Sequence, residues 1–217
     1  MDIDDMKKNP QGWILKETED VDSEVVALSD IFKVPESITS VDNHIYFYSE
    51  VDRNSVLSLN KKISEIERGL KLTATKFGIA RGTIPIYLHI NSYGGQVHAA
   101  MAGVDKILNC SIPIITIVEG CAASAATLLS VVGKERYMSP HSCMLIHEMS
   151  SMFWGKYHEL IDEQQNQEML MEIIYGIYKD NTKIPRQKLK NILKKDMWWN
   201  ADTCLEYGLI DEIGTGK

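Results

Sequence analysis

The sequence predicts an α/β fold in which parallel strands alternate with crossover helices. Three features carry that expectation. A β-branched apolar run, a tight turn and a helical stretch succeed one another twice between Ile84 and Val132. A further apolar run, Ser142–His147, follows. Parallel strands need such crossovers, because a tight hairpin returns the chain antiparallel. Finally, 44% of the residues are hydrophobic and 24% charged, so a chain of 217 residues can build a substantial core. At roughly 100–200 residues per domain, this is one domain, with or without an appendage.

The elements follow in order. Residues 1–40 are polar and lack sustained periodicity. In the first 24 residues, Asp2, Asp4, Asp5, Glu17, Glu19, Asp20, Asp22 and Glu24 face only Lys7, Lys8 and Lys16. This stretch reads as a mobile arm or removable leader ahead of a domain over 41–217. His44–Tyr48 is β-prone and is expected to be the first strand. Val51–Lys71 carries Val56, Leu57, Leu59, Ile63, Ile66 and Leu70 near helical spacing. Thr73–Thr83, with Gly78 and Gly82, reads as a loop. Ile84–Ile90 is a strand, Gly94-Gly95 a turn and Gln96–Leu108 a helix. Ile112–Val118 is the second strand, Glu119-Gly120-Cys121 its turn, and Ala122–Val132 a helix capped by Gly133. Tyr157–Asp180 is a long helix with Leu160, Ile161, Met169, Leu170, Ile173, Ile174 and Ile177 on a broad apolar face. Pro185 suits the first turn of a helix running to about Lys195. Asn200 can cap a helix over Ala201–Tyr207 that Gly208 ends.

Several function classes drop out. A net charge of -7 argues against nucleic-acid binding, which needs a basic surface. No run approaches the ~18 apolar residues of a membrane span, and the N-terminus lacks a signal-peptide pattern. Cys110, Cys121, Cys143 and Cys204 form no CxxC pair, which fits buried thiols in a reducing cytoplasm. Neither a P-loop nor an HExxH motif is present, and no cofactor or metal is expected.

Four places hold residues suited to chemistry. Ser124 lies in Gly120-Cys121-Ala122-Ala123-Ser124-Ala125, where a buried strand meets a helix. It reads as a nucleophile beside a helix N-terminus, or as a plain helix cap. His147 ends the third strand, where sites gather in parallel sheets, and suits a general base. His98 and His141 are rivals. Asp196 precedes Trp198-Trp199, which suits either a partly desolvated carboxylate held against an imidazole or a plain helix-end residue. Asp202 and Asp211 compete with it. Gly94 and Gly95 let a strand-to-helix turn present N–H groups to a developing oxyanion, or simply make the turn tight.

Taken together, these segments resemble the Clp protease proteolytic subunit family (ClpP) over about Ile84–Ile213. The carrying motifs are Asn91-Ser92-Tyr93-Gly94-Gly95, Gly120-Cys121-Ala122-Ala123-Ser124, Leu145-Ile146-His147, and Lys195-Asp196-Met197-Trp198-Trp199-Asn200-Ala201 leading into Glu206-Tyr207-Gly208-Leu209-Ile210-Asp211. The resemblance implies a crotonase-like ββα superhelix with a protruding handle, a strand plus a long helix, over about 149–182. It implies a serine endopeptidase with Ser124 as nucleophile, His147 as general base and Asp196 as its orienting group. The oxyanion donors would be the backbone N–H groups of Gly94 and Ala125, and Gly95 would line the substrate. It implies two stacked heptameric rings enclosing a chamber, polypeptide substrates, and a separate AAA+ unfoldase as partner. Tyr93 stands where the family has proline. Met149 replaces a second proline, and Ser150–Gly155 is bulkier than the family's glycine-rich segment. The acidic N-terminal stretch differs from the family's axial loop. Two other readings share the fold: a catalytically silent ring subunit, and an acyl-CoA enzyme of the crotonase group.

Overall fold

A computed structural model of the chain describes residues 38–80 and 82–216. Among them, eight strands form one sheet of order β1-β2-β3-β4-β5-β8, with β6 pairing β4 and β7. β1 (Ile38–Val41) runs antiparallel to β2 (His44–Phe47). From β2 the ladder is parallel through β3 (Ile86–Ser92), β4 (Ile114–Ala123), β5 (Glu135–Met138) and β8 (Glu212–Ile213). β4 forks. Its residues Ile115–Val118 pair with β5, whereas Cys121–Ala123 pair with β6 (Cys143–Leu145), also parallel. β7 (Trp198–Asn200) closes antiparallel on β6.

Period-2 alternation sorts the strands into two faces. Ile45, Phe47, Ile86, Leu88, Ile90, Ile114, Val118 and Ala122 enter the core. There they meet α1 (Arg53–Phe77), α2 (Val97–Leu108) and α3 (Ala125–Val131) through Val56, Leu59, Ile63, Ala100, Val104 and Leu129. Gly103 of α2 and Gly133 after α3 are small because of close approach. A Cβ would come 2.6 Å from Leu129 Cδ2 at the first and 2.4 Å from Thr116 Oγ1 at the second. Gly133 therefore serves packing and is not the left-handed cap expected of it; the cap position is Val132.

The structure corrects four further readings. Residues 38–41, expected mostly in the arm, form β1, so His44 does not begin the first strand; positions 1–37 lie outside the described residues. Thr73–Phe77 is not loop but the last turns of α1. The helix starts at an Asp52 capping box with Ser55 and stops only at Gly78, whose φ of 65° is left-handed and whose N–H bonds Ala74 O. Gly120–Ala123 is strand, not turn and helix, because β6 gives Cys121–Ala123 a ladder to join. β5 was not foreseen at all: Glu135-Arg136-Tyr137-Met138 carries charges, and Tyr137 and Met138 pair only with the two-residue β8 on its far side.

α4 (Tyr157–Asn181) is 25 residues long, about 37 Å at 1.5 Å per residue. Only Leu170, Ile174 and Tyr178 are buried, all in its second half. Leu160, Ile161, Met169 and Ile173 are exposed, and Met152 and Trp154 almost completely so, at 98% and 97%. The apolar face expected from spacing is thus divided between the body of the molecule and solvent. The strand of the handle expected from the family likeness is not formed: residues 149–156 are neither strand nor helix, and α4 alone makes up the regular structure of the handle. α5 (Arg186–Ile192) and α6 (Ala201–Glu206) follow, the latter capped by Asn200 Oδ1 on Thr203 N–H at 3.0 Å.

Candidate active site

The fork of β4 decides where the site lies. Ser124 follows its last residue and His147 follows β6 by two, so both stand at the C-terminal ends of adjacent parallel strands. The Ser124 N–H continues that ladder, donating to Leu145 O at 2.8 Å. Ser124 adopts φ 53° and ψ -127°. Among the described residues, only it and Asp42 combine a side chain with positive φ. The pair mirrors the first central residue of a type II turn, near -60° and +120°. Such a conformation costs about 1–3 kcal/mol and lasts only where the surroundings impose it. Its hydroxyl makes no cap bond to α3, so the plain helix-cap reading does not hold.

His147 Nδ1 lies 2.9 Å from Asp196 Oδ1. The approach is arranged by backbone: Glu148 N–H donates to Leu193 O at 2.7 Å, which draws the turn after α5 against the end of β6. Asp196 meets the imidazole as expected, yet its side chain is 79% exposed, so the aromatic neighbours do not desolvate it. The rivals go elsewhere. His98 lines a groove between α1 and α2, and His141 is exposed before β6. Asp202 is exposed in the first turn of α6. Asp211 accepts from Arg136 at 2.6 and 2.9 Å, and those bonds hold its carboxyl below the usual carboxylate range.

The turn between β3 and α2 packs onto Ser124. Gly94 has φ 97°, and a Cβ there would come 2.5 Å from Ala123 O, 2.7 Å from Ser124 Cβ and 3.0 Å from Ala125 N. No other residue fits. Gly95, at φ 147°, is pressed on Val51, whose carbonyl would sit 2.3 Å from its Cβ. Val51 N–H donates to Gly94 O at 2.8 Å and Gln96 N–H to Val51 O at 2.7 Å, so the segment after β2 clamps the turn. The Gly94 N–H itself donates to Ser92 Oγ at 3.1 Å.

Sequence reasoning overlooked two neighbours. Tyr93, 80% exposed, meets Trp198 edge to face with centroids 6.4 Å apart, an exposed aromatic pair flanking Gly94 and Asp196. On the outer face of the sheet, His44 Nδ1 meets His89 Nε2 at 2.9 Å, His89 Nδ1 meets Glu119 at 2.8 Å, and Tyr48 donates to the same carboxylate. Tyr46 stacks on His89 at 4.5 Å. Burial, and secondly the neighbouring His89, lower the His44 pKa. A period-2 strand pattern reveals that these residues share a face, but not that their rings connect. Cysteine chemistry is disfavoured nearby, since burial raises the Cys121 and Cys143 thiols and pushes Cys204 up to about 12. Among the described residues no His, Cys, Asp or Glu side chains group to hold a metal ion, and no helix is long and apolar enough to cross a membrane.

A largely parallel sheet thus holds Ser124 and His147 at the ends of adjacent strands, with the Gly94 turn packed on Ser124, in an α/β fold of ββα type. The sequence matches the Clp protease family over residues 42–217, and the chain belongs to that family. It is 26% identical over 179 residues to the ATP-dependent Clp protease proteolytic subunit of Chlorokybus atmophyticus, covering 81% of this chain and 80% of that one. With proteolytic subunit 1 of Chlamydia caviae the identity is 33% over 133 residues, 59% of this chain and 70% of the relative. The fold is that of a ClpP1 variant from Listeria monocytogenes, at TM-score 0.68 and 20% identity, covering 81% of this chain and 93% of the other.

Proposed function

We propose that this chain is a Clp-type serine endopeptidase subunit that cleaves unfolded polypeptide inside an oligomeric chamber in the cytoplasm. The observation that carries this reading is the His147–Asp196 contact of 2.9 Å at the strand end beside a conformationally strained Ser124. With Nδ1 engaged by Asp196, the Nε2 atom of His147 is left for the nucleophile. Ser124 Oγ attacks the scissile carbonyl while His147 takes its proton, and His147 then returns that proton to the leaving amine. Asp196 keeps the imidazole in the required tautomer and stabilises its cation. The Ala125 and Gly94 N–H groups receive the oxyanion, a contribution typically worth about 100–1,000-fold in turnover. Water hydrolyses the acyl-enzyme by the same relay.

The exposed apolar side chains on the outer half of α4 support pairing of rings through this helix. A chamber would exclude folded proteins, and because the sequence carries no P-loop, any ATP-driven step would need a separate unfoldase.

The test is a fluorophosphonate probe, with the labelled residue read by mass spectrometry and Ser124→Ala as control. Labelling confined to Ser124 is expected. A normally assembled protein that takes up no probe, alone or with an unfoldase, would favour the silent-subunit reading instead.

A further inference from the structure

One contact in the β3–α2 turn is not used by the peptidase chemistry. Ser92 is 3% exposed, and its Oγ accepts the Gly94 N–H at 3.1 Å. Gly94 packs directly on the nucleophile, with Ala125 N 3.0 Å from where its Cβ would lie. Ser92 stands just past a register shift in the β3–β4 pairing, opposite Ala122, which precedes Ser124 by two residues. A buried N–H needs an acceptor. In the resting site, Ser92 supplies it.

We propose that Ser92 is a positioning residue of this site: its hydroxyl holds the Gly94 N–H at rest and yields it to the substrate oxygen as negative charge develops during acylation. The inference rests on the Ser124 nucleophile proposed above. No bond to hydrogen is broken in the exchange; the donor changes acceptor. A charged oxygen is a stronger acceptor than a neutral hydroxyl, so the exchange follows the reaction. Only interactions that differ between ground and transition state change the rate. The Ser92 bond exists in the ground state and is lost on the way up, so it slows acylation while stabilising the fold.

Removing the hydroxyl therefore moves rate and stability in opposite directions. Ser92→Ala leaves the resting donor short of its partner and leaves the oxyanion contact intact. In the full-length protein, fluorophosphonate labelling of Ser124 is expected to run about three- to tenfold faster, as a neutral hydrogen bond's worth of ground-state stabilisation implies. The melting temperature is expected to fall. Peptide hydrolysis should gain in kcat/KM by a similar factor. Should the alanine variant not fold, Ser92→Cys keeps the shape and substitutes a poor acceptor, with the same direction expected. Labelling that is unchanged or slower in a folded variant, while wild type still labels at Ser124, overturns the role of Ser92 alone. Wild-type labelling anywhere other than Ser124 overturns the peptidase reading beneath it.

Discussion

Gly94 and Ser124 lie too close together to admit a side chain at position 94. A methyl group at position 94 must displace either the Ala123 carbonyl or the Ser124 side chain, and φ 97° adds strain of its own. Gly94→Ala is accordingly expected to destabilise the protein by about 1–3 kcal/mol and to abolish probe labelling, read by thermal melting alongside the labelling assay. Asp196→Asn is a gentler change. It keeps the shape and removes the charge that fixes the His147 tautomer, so kcat should drop on the order of 10³–10⁴-fold while KM holds. An effect under tenfold would mean that water does the orienting at this exposed position. Residue type and position in strand–turn–helix units made Ser124, His147 and both glycines candidates, but left His98 and His141 beside His147 until the family likeness chose among them. Asp196 was likewise a candidate from its place before Trp198-Trp199, but only the family likeness set it above Asp202 and Asp211. Its meeting with His147 depends on the Glu148–Leu193 backbone bond, which joins segments 45 positions apart and leaves no local trace.

At the scale of elements, the helices that carry and buttress the site are tied down at identifiable points. α4 reaches α3 through Tyr178, fully buried, whose hydroxyl meets Thr127 Oγ1 at 2.5 Å. Thr127 in turn donates to Ser124 O. Tyr178→Phe should cost about 1 kcal/mol, or roughly 2–4 °C in melting temperature for a chain of this size. α1 is fastened to the α2–β4 connection by Glu67, which accepts from Lys71 Nζ at 2.8 Å and from Ser111 Oγ at 2.6 Å. These bonds, that of Lys71 first, bring its pKa down from 4.5 to about 2. A depressed carboxyl adds stability that is complete above its unfolded value and is lost as pH falls through the folded one. The acid limb of stability between roughly pH 4.5 and 2 should therefore flatten in Glu67→Gln, as thermal melts across that range would reveal. Helix α1 illustrates what periodicity misses. Its last turns, Thr73–Phe77, carry two threonines and end on glycine, so they read as loop. Yet Ala74 is buried and Thr75 bonds back to Lys71 O, which keeps the helix going.

For the whole molecule, the alternation of strands and helices was legible because crossovers leave long, distinct apolar runs. The fork in the sheet was not, because it follows from β6 arriving beside Cys121–Ala123 after an intervening strand of weak pattern. Nor could spacing tell which apolar side chains of α4 stay in water. That division leads to a testable outcome: charged substitutions at Leu160, Ile161 and Met169 should lower the assembled mass seen by sedimentation, with the secondary structure by circular dichroism unchanged. The fork has a further consequence. β4 holds two separate ladders on one side, broken at Glu119-Gly120, and Ser124 and His147 lie at the end of the second. The β5–β8 border, with Arg136 and Asp211, can fray while Ser124 remains tied to Leu145. Under rising urea, the border and the Ser124 corner can come apart as separate cooperative units, each with its own midpoint, and amide exchange would record two populations of protection along a single strand.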